Sequence, residues 1–158
     1  MLIELKKANY DDLELIYNMQ IESFKPLLEK YQDYNTNPGN EPFERIIERF
    51  NQSFTDYYII MDNNHPVGGI RIVHRGNERY RVGTIFILPE HQGRGIAQQT
   101  FNTIEQIYQD AKLWELDTVL EEEGLCYLYE KLGYVKTGKL KKITELMTIV
   151  DYEKLISK

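Results

Sequence analysis

Apolar residues recur along this chain with two periods, one near two residues and one near three and a half. Leu2 to Leu5 alternates apolar and polar, which predicts a first strand. Asn9 with Asp12 makes a loose helix-start box, and Leu13, Ile16, Tyr17, Gln20/Ile21 and Phe24 then follow at helical spacing. Pro26 predicts an interruption or restart of that helix, because proline removes a backbone donor and crowds the preceding turn. Tyr31 to Asn40 is rich in Tyr, Asn, Asp, Pro and Gly and reads as a loop. Pro42 fits a first helical position, with Phe43, Ile46, Ile47 and Phe50 on one face of a second helix.

The middle of the chain changes period. Tyr57 to Met61 and Val67 to Val73 read as strands around the turn Asp62-Asn63-Asn64-His65-Pro66, and Gly68-Gly69 predicts a bulge or bend. Arg75-Gly76-Asn77 turns the chain again, into an apolar strand from Tyr80 to Leu88. Helical spacing returns with Ala97, Phe101, Ile104, Tyr108 and Ala111. Leu113 to Leu120 is a strand, and Leu125 to Leu132 is a short helix ended by Gly133. Tyr134 to Thr137 and Glu145 to Tyr152 are closing strands. Strands and helices mix without strict alternation, so the pattern predicts a mixed, mostly antiparallel sheet with helices on both faces.

Composition narrows this picture. A length of 158 residues is expected to form one domain, residues 1–158, around a single core. No apolar stretch approaches the ~20 residues of a membrane span, and Glu4, Lys6 and Lys7 interrupt any signal-like core, so no membrane partner is expected. The single cysteine, Cys126, makes a cytoplasmic location the simplest reading. The net charge of −6 argues against nucleic acid as a partner and fits a neutral or cationic substrate. His65, His74 and His91 are scattered, so no metal site is expected. Tyr31, Tyr34 and Phe43 read as core aromatics or as a lid.

One segment points to chemistry. Gln92-Gly93-Arg94-Gly95-Ile96-Ala97 joins the apolar strand to the long helix. A glycine turn at a helix N-terminus gathers backbone N–H groups and the positive end of the helix dipole at one place, which suits a phosphate. A Gly-x-Gly pair also serves a tight connection with no ligand, and the turn alone leaves both readings open. It is not a P-loop, since no Gly-Lys-Ser/Thr follows, and it lacks the third glycine of a dinucleotide fingerprint.

A second segment, Tyr129-Glu130-Lys131-Leu132-Gly133-Tyr134, follows about thirty residues later. Together the two segments resemble the GNAT N-acetyltransferase superfamily. Its signature is Gln/Arg-x-x-Gly-x-Gly/Ala after a strand, matched by Gln92, Gly95 and Ala97. A strand and a helix ending in Tyr-Glu-Lys-x-Gly-Phe/Tyr come next, matched by Tyr129 to Tyr134. The element order is similar to that family along essentially the whole chain. The resemblance implies an α/β (α+β) acyl-CoA N-acyltransferase fold with a six- to seven-stranded sheet. It also implies acetyl-CoA as cosubstrate, a small-molecule or peptide amine as acceptor, and pairing of terminal strands into a homodimer.

By the same resemblance, the amides of Gln92, Gly93, Arg94, Gly95, Ile96 and Ala97 hold the pyrophosphate, and Arg94 either adds a cation or lies on the surface. The backbone of Phe86, Ile87 and Leu88 receives the pantetheine arm. Tyr129 matches the acid that protonates the departing thiolate, and tyrosine suits this with an ordinary pKa of about 10. Tyr80 to Thr84 lacks the glutamate many relatives use as base, and Asp117, twelve positions before Tyr129, matches the carboxylate others place on the next strand. Deprotonation through water near Glu121, Glu122 or Glu123 is the other option, and this acidic cluster could draw a cationic amine. Many relatives carry an Asn about where Glu122 stands. Cys126 reads as a small buried residue. Two other functions stay open: an acyl-CoA-binding module without catalysis, and a nucleotide-binding protein.

Overall fold

The computed structural model describes residues 2–157. Strand β1 (Ile3–Lys7) leads into a single 3-10 turn at Tyr10–Asp12. The helix-start box closes there: Asn9 Oδ1 accepts from the Asp11 N–H at 3.0 Å, and the Asp12 carboxylate accepts from the Asn9 N–H at 2.9 Å. Helix α1 (Leu13–Tyr31) then runs straight through Pro26, where the sequence predicts an interruption. Proline inside a helix costs about 3 kcal/mol. The turns beyond it are fastened well enough to offset that. Leu27 and Tyr31 pack against Val119 and Met147, while Lys30 and Tyr31 both bond Glu122. Helix α2 (Phe43–Phe50) follows, and Pro42 caps it with an extended backbone, one position before the helix.

Strands β2 (Thr55–Asp62) and β3 (His65–Gly76) form a hairpin whose turn residues Asn63 and Asn64 are both left-handed, as a tight two-residue hairpin requires. The register slips opposite Ile60 and Met61, one residue before the Gly68-Gly69 pair. Strand β4 (Arg79–Ile87), helix α3 (Ile96–Ile107), strand β5 (Leu113–Val119), helix α4 (Glu123–Lys131) and strands β6 (Val135–Thr144) and β7 (Met147–Leu155) complete the order. Strand β6 runs well past the predicted end at Thr137. Its residues are exposed on both faces, so no alternation marks it.

The seven strands lie in the order β1-β2-β3-β4-β5-β7-β6, antiparallel except for β4 beside β5. Both faces are covered, as expected. On one, Leu13, Ile16, Met19 and Ile46 pack on Tyr57, Ile59, Phe86 and Leu88. On the other, Ile96, Phe101, Ile104, Cys126 and Tyr129 pack on Ile60, Ile70, Ile72, Val82 and Leu116. No described helix is long and apolar enough to cross a membrane.

Two departures from regular pairing open the sheet at its centre. Strand β4 pairs with β5 only over Arg79–Arg81 and Leu113–Glu115, so the two diverge beyond that point. On its other edge, β4 bulges: Ile72 pairs with Val82 and Arg71 with Thr84, leaving Gly83 as the extra residue. A bulge bends its strand and increases the local twist, which turns the end of β4 away from β5.

Candidate active site

A cleft of about 1000 Å³ occupies this divergence. It draws lining residues from both faces of the sheet: Gln92, Gly93, Gly95 to Gln98, Leu128 and Tyr129 from the α3/α4 side, and Phe24, Asn37, Arg71, Asp117 and Met147 from the α1 side. A long substrate entering from one face can therefore meet a second molecule entering from the other.

The glycine turn forms the mouth on the α3 side. Gly93 and Gly95 are both left-handed, at φ 76° and 78°, and a Cβ on either would meet no atom within 4 Å. The N–H groups of Gly93, Arg94, Gly95, Ile96, Ala97 and Gln98 find no acceptor among the described residues, and the first bond of the helix is donated by Gln99 to Gly95. These free donors at the positive end of α3 fit a pyrophosphate. Ile96 anchors the turn with a fully buried side chain, and Ala97 lines the cleft.

Two of the expected cofactor residues engage their side chains within the protein. Gln92 folds back, its Nε2 donating to the Ile87 carbonyl at 2.9 Å, so it braces the turn and takes up one acceptor on the expected pantetheine strand. Arg94 turns away from the cleft, pairing with the buried Asp62 at 3.2 Å and donating to His91. Its backbone N–H is left free at the turn, while its charge is paired elsewhere. Phe86 and Leu88 bury their side chains under α1, which leaves only backbone facing β5.

Tyr129 lies on α4 and is 5 % exposed, its ring held between Phe101, Tyr134 and Tyr152. Its hydroxyl makes no hydrogen bond with another described residue. Burial pushes its pKa above the ordinary value, and the nearby Asp117 carboxylate adds to that rise, so the phenol stays protonated at neutral pH.

Asp117 lies on β5 with a side chain 44 % exposed, and it accepts from Arg81 at 2.6 Å. The low-dielectric walls around it raise its pKa, Arg81 pulls the other way, and Asp151 across the ladder adds to the rise. Its place in an apolar strand is explained by this pairing together with its position in the cleft.

Within the acidic cluster, Glu122 is ion-paired. Glu122 accepts from Lys30 at 2.7 Å and from Tyr31, which holds its carboxyl below the usual range. Glu121 accepts from the Thr148 N–H at 2.8 Å, and Glu123 opens α4. Cys126 is buried and directs its thiol at the carbonyls of Val119 and Leu120.

The sequence reading missed three features of the cleft. Arg71 on β3 lines it, Gly83 leaves room for the Arg71 guanidinium, and Glu41 and Arg49 form a two-pronged ion pair at 2.9 Å. A signal for the first was present: a cation within Ile70 to Val73 is as unexpected as Asp117 in β5.

Residues 15–134 match the family model of the Acetyltransferase (GNAT) family. The chain belongs to that family. It is accordingly an acetyl-CoA-dependent N-acetyltransferase, and acetyl-CoA is its cosubstrate. No curated protein sequence matches this acetyltransferase. Among solved structures, it is similar to the ribosomal-protein alanine N-acetyltransferase of Escherichia coli at TM-score 0.80 and 11 % identity, covering 99 % of this chain and 96 % of that one. It is also similar to the spermidine N-acetyltransferase of Vibrio cholerae in complex with CoA and spermine, at TM-score 0.77 and 18 % identity over 97 % and 95 %. A third is the PaiA N-acetyltransferase of Thermoplasma acidophilum in complex with coenzyme A, at 0.71 and 15 % over 99 % and 100 %. At such identities the likeness is one of fold.

The turn yields a direct prediction. A valine at Gly95 has to adopt a left-handed backbone, at about 1–2 kcal/mol, which strains the turn that carries the free amides. Gly95→Val is expected to raise the acetyl-CoA Kd at least ~10-fold by calorimetry, about 1.4 kcal/mol of binding. An unchanged Kd would remove the turn from the binding site.

Proposed function

We propose that this acetyltransferase moves the acetyl group of acetyl-CoA directly to a primary amine, with Asp117 as base and Tyr129 as acid. The carrying observation is the cleft itself. Tyr129 lines it from one side of the sheet and Asp117 from the other, near enough that the carboxylate charge acts on the phenol. Acetyl-CoA supplies an activated acetyl thioester. The free amides of Gly93 to Gln98 hold its diphosphate, and the edge of β4 beyond Arg81 offers backbone to its arm.

An amine attacks only when neutral. Asp117 stands where the acceptor enters and takes the proton from the amine, directly or through one water. Its raised pKa brings it closer to neutrality than an ordinary carboxylate and makes it a stronger base. Arg81 holds it in place and keeps it ionised. The departing thiolate needs a proton. Tyr129 carries one, held on by burial, and its ring is fixed by three aromatic neighbours so that the hydroxyl has one place to point. The order of events needs no covalent acetyl-enzyme, and Cys126, turned to backbone carbonyls, offers no nucleophile.

The test is release of free thiol from acetyl-CoA in the presence of a panel of amines, with the acetylated product identified by mass. Transfer to at least one amine is expected. Binding of acetyl-CoA with no transfer to any amine would favour a non-catalytic acyl-CoA module.

A further inference from the structure

On the acceptor side of the cleft, Arg71 is a cation that neither the fold nor the mechanism uses. Arg71 stands on β3 across from Tyr57 on β2 and Thr84 on β4. Its Nε is buried and meets no acceptor, and no carboxylate among the described residues forms an ion pair with it. The acids nearest to it in the cleft have other partners. Glu41 is gripped by both prongs of Arg49 and also takes a bond from Gln20. Asp117 is taken by Arg81. Burial lowers Arg71's pKa, with Tyr57 and Glu41 opposing and Arg49 and Arg81 adding to the fall, yet a guanidinium remains charged at any physiological pH.

A buried guanidinium N–H without an acceptor is costly, and a ligand that accepts from it would remove that cost. Here the chain makes room for it. Gly83 is the bulged residue of β4, and a Cβ there would stand 2.5 Å from the Arg71 guanidinium carbon. A side chain at position 83 would force the guanidinium to shift from this place. The arrangement therefore places an unused planar fork of donors in the acceptor channel, and such a fork matches a carboxylate or a phosphate. Arg49 and Arg81 each already hold a carboxylate, and one carboxylate would complete the Arg71 fork in the same way.

Spacing adds the second half. Arg81, which holds Asp117, and Gly83, which underlies Arg71, lie two residues apart on β4, about 7 Å along a strand. We infer that the acceptor is an amine carrying a carboxylate a few bonds from its nitrogen, an amino acid or a compound of that class, with Arg71 binding the carboxylate. This rests on the transferase reading, in which Asp117 receives the amine.

The experiment compares each acid with its own amide. The panel is the common L-amino acids and their amides, β-alanine and β-alaninamide, ethanolamine O-phosphate and spermidine. At neutral pH the amide's amine is the less basic and more often neutral, so a preference for the acid cannot come from intrinsic reactivity. The expected result is a kcat/KM at least tenfold higher for one or more acids than for the matching amide. In Arg71→Gln that ratio falls to near one, and in Arg71→Lys, which keeps the charge, it stays above one. Circular dichroism and acetyl-CoA binding check that each variant is folded. Best transfer to spermidine, to an amide or to the phosphorylated amine overturns the inference alone, as does an acid preference that survives in Arg71→Gln. No transfer to any amine, with acetyl-CoA bound, overturns the transferase reading and the inference with it.

Discussion

Tyr129→Phe is expected to lower kcat by about 10²–10³-fold while the acetyl-CoA Kd stays within about twofold. The asymmetry follows from where the two functions sit. The diphosphate donors belong to the backbone of the turn before α3, whereas the phenol belongs to α4. Removing one oxygen leaves the ring among Phe101, Tyr134 and Tyr152, so packing survives and only the proton donor is lost. About 3–4 kcal/mol of barrier corresponds to that loss. The pH profile carries the same signature. Because burial holds the phenol above its ordinary pKa of about 10, the wild-type rate should show no alkaline fall below that value. Steady-state kinetics beside calorimetry decide the matter, and an unaltered kcat would take Tyr129 out of the mechanism.

Asp117→Asn is expected to lower kcat/KM by about 10²–10⁴-fold near neutral pH. A base is needed only while the acceptor amine is protonated, so the deficit should shrink as pH rises toward the amine's own pKa. In the wild type, activity requires ionised Asp117 and is lost as pH falls through its pKa. Since the folded value lies above the ordinary one of about 3.9, the acid limb should lie above it as well. Arg81 opposes that rise, so Arg81→Ala should move the limb to higher pH still. An acid limb that stays put or moves down in Arg81→Ala, or an asparagine variant as fast as the wild type, would assign the proton to water or to another group.

Much of the donor half of this site was legible in the chain because its determinants are contiguous. Gly93 and Gly95 stand two residues apart in one turn, and the helix that follows announces itself by its apolar spacing. Tyr129 belongs to a short motif that survives as a string. The acceptor half was not legible in the same way. Arg81 meets Asp117 thirty-six positions away, Lys30 meets Glu122 ninety-two positions away, and Gly83 makes room for a guanidinium from the neighbouring strand. Apolar periodicity reports which face of an element is buried. It does not report which charge will find which partner, so the pairing of Glu122 with Lys30 was not legible. Pro26 failed as a breaker for a related reason: local cost was outweighed by contacts of Leu27, Lys30 and Tyr31 with distant segments.

The amino-acid sequence by itself determined the order of strands and helices and the coverage of both sheet faces, and it singled out the glycine turn and Tyr129 as candidates. Each of these depends on spacing within one element or on one turn's backbone. Only the tertiary structure decided how the sheet opens. The short β4–β5 pairing and the Gly83 bulge come from register between strands, which no single segment encodes. It also decided which acids stay free in the cleft, and that Arg71 remains without a partner there, because ion pairing is settled by three-dimensional distance and burial together.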